Sequence, residues 1–202
     1  RGKISAPVLE AFGAINRENF VLPGLRVRAY EDVPLPILRD KTISQPSTVL
    51  LMTEALELKD GMNVLEIGAG SGYQSALIAY LIRSGRVVST EVIPELVQFA
   101  RQNIMNAGLD NVLVVEQDGS QGYQDEAPYD RIIFTAASPK LPLHLLGQLK
   151  EEGIMLVPVG DLNSQQMIKL VKKKGHVEQQ KLGDFIFSPL VGKFGFDEEK
   201  ML

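Results

Sequence analysis

The sequence predicts an α/β protein whose mostly parallel sheet has seven strands and helices on both faces. Between residues 64 and 160, five short apolar segments typical of strands alternate with segments of helical spacing, as in a parallel sheet built from strand–helix–strand units. After Gly160, two strand-like segments meet at Lys174 and Gly175, and an antiparallel hairpin is the simplest connection between them. Five parallel strands and a terminal hairpin make up the predicted sheet.

The predicted elements follow one another in a regular order along the chain. Short apolar runs mark the parallel strands, which are VLEI (64–67), RVVSTEV (86–92), NVLVVEQDG (111–119), YDRIIFTAA (129–137) and GIMLVPVG (153–160). Helices are predicted from Ser75, from Pro94 to Gly108, and after Pro142 through Leu149. The hairpin consists of QQMIKLVKK (165–173) and HVEQQKLGDFIF (176–187).

The segment VLEIGAGSG, residues 64–72, is the main candidate binding site. Its three alternating glycines follow a buried strand and precede a helix, the arrangement in which backbone groups approach a nucleotide-like ligand. A dinucleotide fingerprint needs a small residue at the position of Tyr73, whereas here the third glycine, Gly72, comes one residue early. Pyrophosphate is therefore disfavoured, and the pattern acid-x-G-x-G-x-G indicates S-adenosylmethionine. A glycine-rich turn without a ligand is the alternative.

Two acidic residues at later strand ends are candidate ligands of the same cofactor. Glu91 lies about 20 residues beyond the glycines, where a carboxylate suits a ribose diol. Asp118 and Gly119 end the next strand, and Asp118 can accept a hydrogen bond from an adenine amino group. A solvated strand end is the alternative for Glu91, and an Asx-turn before glycine is the alternative for Asp118.

Composition limits the other classes of function. The chain has 202 residues, 45% of them hydrophobic, enough for one sizeable core and a single domain. Its 21 basic and 25 acidic residues give a net charge of −4, which argues against a nucleic-acid or membrane surface. Cysteine is absent and no apolar run reaches the length of a membrane span. We therefore expect a cytosolic, monomeric protein without a metal site, and leave open a leader removed before Arg1.

Residues 30–54, YEDVPLPILRDKTISQPSTVLLMTE, carry a more specific signal. This stretch resembles the protein-L-isoaspartate (D-aspartate) O-methyltransferases, which place Thr-Ile-Ser-Gln/Ala-Pro ahead of the glycine loop. The resemblance continues through residues 118–139, 148–160 and 187–192. One departure is the segment Leu38-Arg39-Asp40-Lys41, where the family usually has a glycine-containing run. This segment is interpreted either as a solvated charged turn or as a change in which residues flanking the acceptor are preferred.

The resemblance implies the Rossmann-like fold of S-adenosylmethionine-dependent methyltransferases. Within 1–202 we expect an N-terminal helical, substrate-side segment (1–55), a cofactor-binding core (56–160) and C-terminal strands (161–202). The implied cofactor residues are Glu66, Gly68, Ala69, Gly70, Ser71, Gly72, Glu91, Val92, Asp118 and Gly119. The implied acceptor residues are Thr42, Ile43, Gln45, Pro46 and Ser47, with Ser44 as the catalytic residue beside the acceptor.

The implied reaction moves a methyl group from S-adenosyl-L-methionine to the free carboxylate of isoaspartyl residues in damaged proteins, leaving S-adenosyl-L-homocysteine. A carboxylic acid is already ionised at neutral pH, so no general base is required, and His144 and His176 are expected to be structural. The hydroxyl of Ser44 can orient the anion by one hydrogen bond, although a turn or helix N-cap before Pro46 is its alternative.

Other functions remain open at this point. A methyltransferase that acts on RNA or a small molecule would share the glycine loop and Glu91 but would not need TISQP. The chain lacks the Asn/Asp-Pro-Pro-aromatic motif of nucleobase amino methylation and the cysteine nucleophile of cytosine C5 methylation. A nicotinamide oxidoreductase is disfavoured by Tyr73, and a non-catalytic binding protein could keep the same fold. Lys172–Lys174 could contact RNA, although three lysines at a hairpin end usually form a solvated turn.

Overall fold

The computed structural model describes residues 3–196 of the chain. Its four α-helices are α1 (Ala6–Ala14), α2 (Pro46–Ala55), α3 (Tyr73–Ile82) and α4 (Pro94–Asn106). Its strands are β1 (Leu35–Pro36), β2 (Thr42–Ile43), β3 (Asn63–Ile67), β4 (Arg86–Glu91), β5 (Val112–Glu116), β6 (Tyr129–Phe134), β7 (Leu149–Gly160), β8 (Gln165–Lys173) and β9 (His176–Phe185). Short 3₁₀ helices cover Arg17–Phe20, Pro23–Arg28, Leu38–Asp40, Gly119–Gln121, Gln124–Glu126 and Leu143–Gly147.

Seven strands form one sheet in the order β5-β4-β3-β6-β7-β8-β9. The first five in this order are parallel, β8 pairs antiparallel with β7, and β9 pairs antiparallel with β8. The predicted seven-stranded sheet with a C-terminal hairpin is confirmed. Ile67 at the end of β3 pairs with Thr90 of β4 and Phe134 of β6, so the carboxyl ends of three central strands lie side by side. Ligands of open α/β sheets bind at such an edge.

Successive side chains of a strand point to opposite faces of the sheet, so the hydrophobic core has one part on each face. On one face, Val64 and Ile133 pack in a cluster with Met52 of α2 and Ile78 of α3. On the opposite face, Leu65 and its neighbours pack in a cluster with Leu145, which lies in the 3₁₀ helix Leu143–Gly147. Both faces are thus covered by helical structure, by α-helices on one side and by short 3₁₀ segments on the other.

The N-terminal segment packs against α3 rather than against the sheet. Ile15 and Phe20 share a buried cluster with Tyr73 and Leu77 of α3, and the rings of Phe20 and Tyr73 lie 5.3 Å apart between centroids. Burial of these aromatic rings supplies much of the stabilisation of the segment. This packing places β2 next to the loop that precedes α3.

The largest difference from the predicted elements lies between Pro142 and Gly160. The predicted helix through Leu149 is a 3₁₀ helix that ends at Gly147, and β7 begins at Leu149 rather than at Gly153. Leu149 pairs with Tyr129 before the register shifts, so that Arg131 pairs with Ile154. A bulge therefore extends β7 backwards into residues whose spacing resembled a helix. Among residues 3–196, no helix combines the length and the apolar character that crossing a membrane requires.

Candidate active site

A cavity opens at the carboxyl ends of β3, β4 and β6, beneath the N-terminal segment. Its wall comes from five parts of the chain: residues 41–44 with Val49 and Met52, the loop and first turn at 66–74, the end of β4 with the turn into α4, the ends of β5 and β6, and Ser188–Val191. Of the residues predicted to bind the cofactor, those in the wall are Glu66, Gly68, Ala69, Gly70, Ser71, Glu91, Val92 and Gly119. Of the residues predicted to contact the acceptor, the cavity wall contains Thr42, Ile43 and Ser44.

The glycine loop is held by the strands on both sides of β3. The backbone N–H groups of Gly68 and Ala69 donate to the carbonyl of Thr90, at 2.9 and 3.0 Å. On the other side, the hydroxyl of Thr135 donates to the carbonyls of Ile67 and Gly68. A Cβ at Gly68 would lie 2.6 Å from the Thr135 hydroxyl oxygen. The loop therefore presents bare backbone to the cavity in a fixed conformation.

Gly72 has a packing role rather than a place in the cavity wall. It precedes α3 with a φ of +83°, a conformation that favours glycine. A Cβ there would lie 3.2 Å from the carbonyl oxygen of Ala100 on α4. The third glycine thus allows α3 and α4 to approach each other, which positions the loop indirectly.

Glu91 organises the other side of the loop through its carboxylate. One oxygen accepts the N–H of Gly70 at 3.0 Å, and the other accepts the N–H groups of Val92 and Ile93 at 2.9 and 3.1 Å. The side chain is buried and faces the cavity. Three of the roughly four acceptor sites of the carboxylate are thus filled, and the open site on the oxygen bound by Gly70 lets Glu91 hold the glycine loop and also accept from a ligand hydroxyl.

Glu66 is fully buried beside the cavity. One of its oxygens accepts hydrogen bonds from the hydroxyls of Ser75 and Ser89, and the other has no partner within residues 3–196. Burial raises the pKa of this carboxyl to about 7, with the two serine hydroxyls opposing the shift and Glu91 adding to it. The group therefore titrates near neutral pH, where a nearby positive charge would favour its ionised form.

Ser44 lies in the wall between β2 and α2. Its carbonyl accepts a hydrogen bond of 2.7 Å from Arg17, while its hydroxyl has no partner in the described part of the chain. The N-cap position of α2 belongs to Gln45, which makes no side-chain capping bond. The N-cap role considered for Ser44 is therefore wrong, and its hydroxyl is free to contact a ligand.

The remaining predicted acceptor residues lie just outside the wall. Gln45 donates from its amide to the hydroxyl of Ser47 at 3.0 Å, and the N–H of Ser47 donates to Asp32 at 2.9 Å. Pro46 is buried at the first position of α2. These residues fix the start of α2 and so the direction in which the chain leaves Ser44.

The structure does not bring Asp118 into the cavity wall. Its carboxylate accepts the N–H of Ser120 and the side-chain amide of Gln121, at 2.9 and 3.0 Å, and the N–H of Lys193 at 2.9 Å. The bond from the N–H of Ser120 is that of the Asx-turn considered as its alternative. Burial is the largest single influence on the pKa of Asp118 and raises it, but the hydrogen bonds together hold the pKa below its usual value. Gln117, one residue earlier, lines the cavity instead.

Sequence reasoning missed the wall supplied by the segment 187–195, which we call the C-terminal strap. Its Ser188 carbonyl accepts the N–H of Ala137, and its Leu190 N–H donates to the carbonyl of Ala137, both at 2.8 Å. Its Lys193 N–H is the one bound by Asp118. The only signal for this wall in the sequence was FSPLVG, which the resemblance included without a role.

Neither histidine lies in the cavity wall. His144 makes a 2.9 Å hydrogen bond between Nε2 and the carbonyl of Ser120, and its ring stacks 4.2 Å from that of Phe194 in the strap. His176 lies exposed at the start of β9, 3.6 Å from Glu178. Both positions agree with the expectation that the histidines are structural. Groups of three or more metal-ligating side chains are absent from the described residues.

Comparison with known proteins agrees with the geometry of the site. The sequence model of the family described as protein-L-isoaspartate(D-aspartate) O-methyltransferase matches residues 2–195. A protein-L-isoaspartate O-methyltransferase from Methanoculleus marisnigri is 48% identical over 199 residues, covering 98% of this chain and 90% of that protein. Another, from Methanopyrus kandleri, is 47% identical and covers 95% of this chain and 86% of its own length.

Solved structures give the same result. A protein-L-isoaspartate O-methyltransferase superimposes with a TM-score of 0.86 at 32% identity over 95% of this chain, which spans 63% of that longer chain. A Plasmodium falciparum structure named for the same activity, in complex with S-adenosyl-L-homocysteine, has a TM-score of 0.81 at 24% identity and covers 93% of this chain and 91% of that one. At 24% identity, the similarity to the Plasmodium falciparum structure shows a shared fold. The chain belongs to the protein-L-isoaspartate (D-aspartate) O-methyltransferase family.

Proposed function

We infer that this enzyme transfers a methyl group from S-adenosyl-L-methionine to the free carboxylate of L-isoaspartyl residues in damaged proteins and peptides, the first step of their repair. The observation that carries the proposal is the composition of one cavity. The glycine loop and Glu91 form one side of its wall, and Thr42–Ser44 form another. The proposed donor and acceptor residues thus line the same cavity, as a direct transfer between two bound molecules requires.

The residues on the donor side fit S-adenosylmethionine. The backbone is exposed to the cavity at Gly68 and Gly119, where a Cβ would lie 2.6 Å from Thr135 Oγ1 and 2.2 Å from Thr90 Oγ1. We propose that Glu91 binds the ribose diol through its open acceptor site, with the adenine near Gln117 and Gly119. The contact of Asp118 with the adenine amino group stays a prediction, and its three bonds to Ser120, Gln121 and Lys193 argue for an indirect role through the loop.

The acceptor side offers a carboxylate a hydroxyl donor at Ser44, while the cation of the acceptor wall is at Lys41, three residues earlier. We propose that the free hydroxyl of Ser44 donates one hydrogen bond to the isoaspartyl carboxylate, while Thr42 and Ile43 contact the peptide. A lysine in that place would form a full ion pair and reduce the nucleophilicity of the anion. Gln45, Pro46 and Ser47 support this arrangement by fixing the start of α2.

The reaction follows from this placement. S-adenosylmethionine supplies a methyl group bound to a positively charged sulfur, which a carboxylate oxygen can attack directly in line with the departing sulfur. The acceptor is already ionised at neutral pH, which agrees with the absence of both histidines from the wall. The protein's contribution is to align the acceptor oxygen with the methyl group and to exclude water, and such orientation can supply roughly 7–11 kcal/mol.

The deciding experiment offers radiolabelled S-adenosylmethionine to matched peptides that differ only in having an isoaspartyl, an L-aspartyl or a D-aspartyl residue. We expect methyl esters on the isoaspartyl peptide and none on the L-aspartyl peptide, and the D-aspartyl arm decides whether that residue is also accepted. An RNA arm and a small-molecule extract test the alternative acceptors. Label in either of these, with an unmodified isoaspartyl peptide, would overturn the proposal.

Further properties are also proposals. We propose that the enzyme acts as a monomer, which light scattering during turnover would test, and that residues 1–202 work as one unit. The net charge of −4 supports a protein without a nucleic-acid or membrane partner. The cytosolic location predicted from the sequence is testable by fractionation of the cells that produce the protein.

A further inference from the structure

Arg17 is a fully buried arginine in the N-terminal segment, with 0% of its side chain exposed. Its Nε donates to the carbonyl of Ala29 at 2.6 Å, and its Nη2 donates to the carbonyl of Ser44 at 2.7 Å. The guanidinium carbon also lies 4.9 Å from the centre of the Tyr73 ring. One side chain therefore contacts the residue proposed to orient the acceptor and the residue that follows the glycine loop.

Burying this cation has a cost that the local contacts offset only in part. Desolvation lowers the pKa of the guanidinium, with Tyr73 as the main opposing influence. The Asp32 carboxylate adds a weaker electrostatic attraction, but the Nη1 of Arg17 and the hydroxyl of Tyr73 are both buried without a hydrogen-bond partner within residues 3–196. An apolar side chain of similar volume would avoid these costs. The arrangement thus suits a role other than stability.

The contacts of Arg17 connect the acceptor side of the cavity to the start of α3. The bond to the Ser44 carbonyl fixes the peptide plane that follows Ser44, and hence the backbone from which its hydroxyl projects. The contact with Tyr73 ties the same guanidinium to the first residue of α3, directly after Gly72. A planar, rigid guanidinium holds both partners at a set distance, which a flexible ammonium cannot do as well.

We propose that Arg17 is a positioning residue that sets the distance and orientation of Ser44 relative to the glycine loop, and so aligns the acceptor carboxylate with the methyl group. The inference rests on the proposed role of Ser44. Misplacement by about 1 Å in an aligned reaction can lower the rate by roughly 100-fold. Loss of Arg17 should therefore reduce the rate of transfer much more than it reduces cofactor binding.

The chain offers a matched control in Arg131. This arginine is also buried and also donates to backbone carbonyls, those of Leu56 and Glu57 directly after α2. Unlike Ser44, neither of these two residues lines the cavity. Arg17→Met and Arg131→Met remove comparable side chains. We expect Arg17→Met to lower kcat by 10- to 100-fold with less than a threefold change in the Kd of S-adenosylhomocysteine, and Arg131→Met to lower the unfolding temperature while kcat of the folded enzyme is kept.

A double-mutant cycle with Ser44→Ala separates positioning from general structural damage. If Arg17 acts through Ser44, adding Arg17→Met to Ser44→Ala will lower kcat by less than about threefold further. Arg17→Lys keeps one donor for the Ser44 carbonyl and should recover part of the rate. If Arg17→Met does not fold, Arg17→Lys takes its place in the double-mutant cycle. Additive losses in the cycle, or equal kcat for Arg17→Met and Arg131→Met, would overturn the inference.

The two proposals fail in different ways. A wild-type enzyme that does not methylate isoaspartyl peptides contradicts the proposed function. A wild-type enzyme that methylates them, combined with additive losses in the cycle, contradicts the role of Arg17 alone.

Discussion

Glu91 accepts a hydrogen bond of 3.0 Å from the backbone N–H of Gly70, which lies 21 residues earlier in the chain. This bond connects the end of β4 to the middle of the glycine loop, and the second carboxylate oxygen is bound by the turn that starts α4. Because the same carboxylate faces the cavity, its position is set by the protein before any ligand arrives.

Replacing Glu91 by glutamine should weaken cofactor binding. The amide nitrogen would face backbone N–H donors and lose acceptors for the ribose hydroxyls, so we expect the Kd for S-adenosylhomocysteine to rise by roughly 10- to 100-fold. Glu116, which pairs with Glu91 in the neighbouring strand and is exposed, gives the control Glu116→Gln. Titration calorimetry on both variants checks this, and equal affinities would remove Glu91 from the cofactor site.

Ser44→Ala should separate cofactor binding from methyl transfer. The hydroxyl has no partner within residues 3–196, so its removal leaves the fold and the donor side intact. A hydrogen bond to a charged group contributes about 1.5–3 kcal/mol, which predicts a loss of roughly 10- to 100-fold in kcat/KM for the isoaspartyl peptide. The exposed Ser164→Ala serves as the control. A full rate in Ser44→Ala would exclude the catalytic role.

Glu66 predicts a pH dependence of stability with a definite sign. Its pKa is raised to about 7 in the folded protein, so between about pH 4.5 and 7 the folded state holds a proton that the unfolded state has lost. The free energy of unfolding therefore falls as the pH rises through this window, by up to about 3 kcal/mol from this group.

Glu66→Gln removes that titration while keeping most of the volume. Urea unfolding of both proteins at several pH values gives the difference in their stabilities, in which the other titrating groups cancel. We expect the wild type to lose stability relative to Glu66→Gln as the pH rises towards 7 and no further relative change above about pH 8. A free energy of unfolding that changes equally with pH in the two proteins would contradict the raised pKa of Glu66.

Gly192→Ala tests whether the C-terminal strap closes the cavity. Gly192 has a φ of +138°, and a Cβ there would lie 2.0 Å from an oxygen of Asp118, so the strap must shift. We expect a loss of about 2–3 kcal/mol of stability and weaker binding of S-adenosylhomocysteine, since Ser188–Val191 line the cavity.

Gly175→Ala is the matched control for this variant. Gly175 also has a positive φ, +84°, but its Cβ would enter open space in the hairpin turn. We expect a loss of about 1 kcal/mol from backbone strain alone and unchanged ligand binding. Equal affinity in the two variants, measured by calorimetry, would show that the strap has no part in the site.

Local patterns predicted the parts of the fold and of the site that depend on neighbouring residues. β3 is mostly apolar, with Val64, Leu65 and Ile67 beside Glu66, because it is buried on both faces, and its end at Ile67 places the glycine loop directly after it. Glu91 was predictable because parallel strands bring their carboxyl ends to one edge. The same rule predicted that the end of β5 lies near the cavity, but it could not predict whether Asp118 or Gln117 lines the wall. The Asx-turn with Ser120 directs the carboxylate of Asp118 away from the cavity.

Long-range packing determined the features that the sequence did not predict. The strap reaches the cavity through bonds between Leu190 and Ala137 and between Lys193 and Asp118, partners that no spacing rule connects. Arg17 resembles a surface residue in the sequence, and only the folding of the N-terminal segment onto α3 buries it. The bulge in β7 likewise depends on pairing with Tyr129 and not on the local spacing of apolar residues.

The strap also ties ligand binding to the order in which the chain is synthesised. A domain generally folds as a unit, so a chain whose synthesis stops before residue 188 lacks part of the cavity wall although it contains the glycine loop and Glu91. The cavity wall is completed only by Ser188–Val191. A ligand that binds the completed wall stabilises only chains that have reached this point, so the cofactor should protect full-length chains against proteolysis and leave prematurely ended ones exposed.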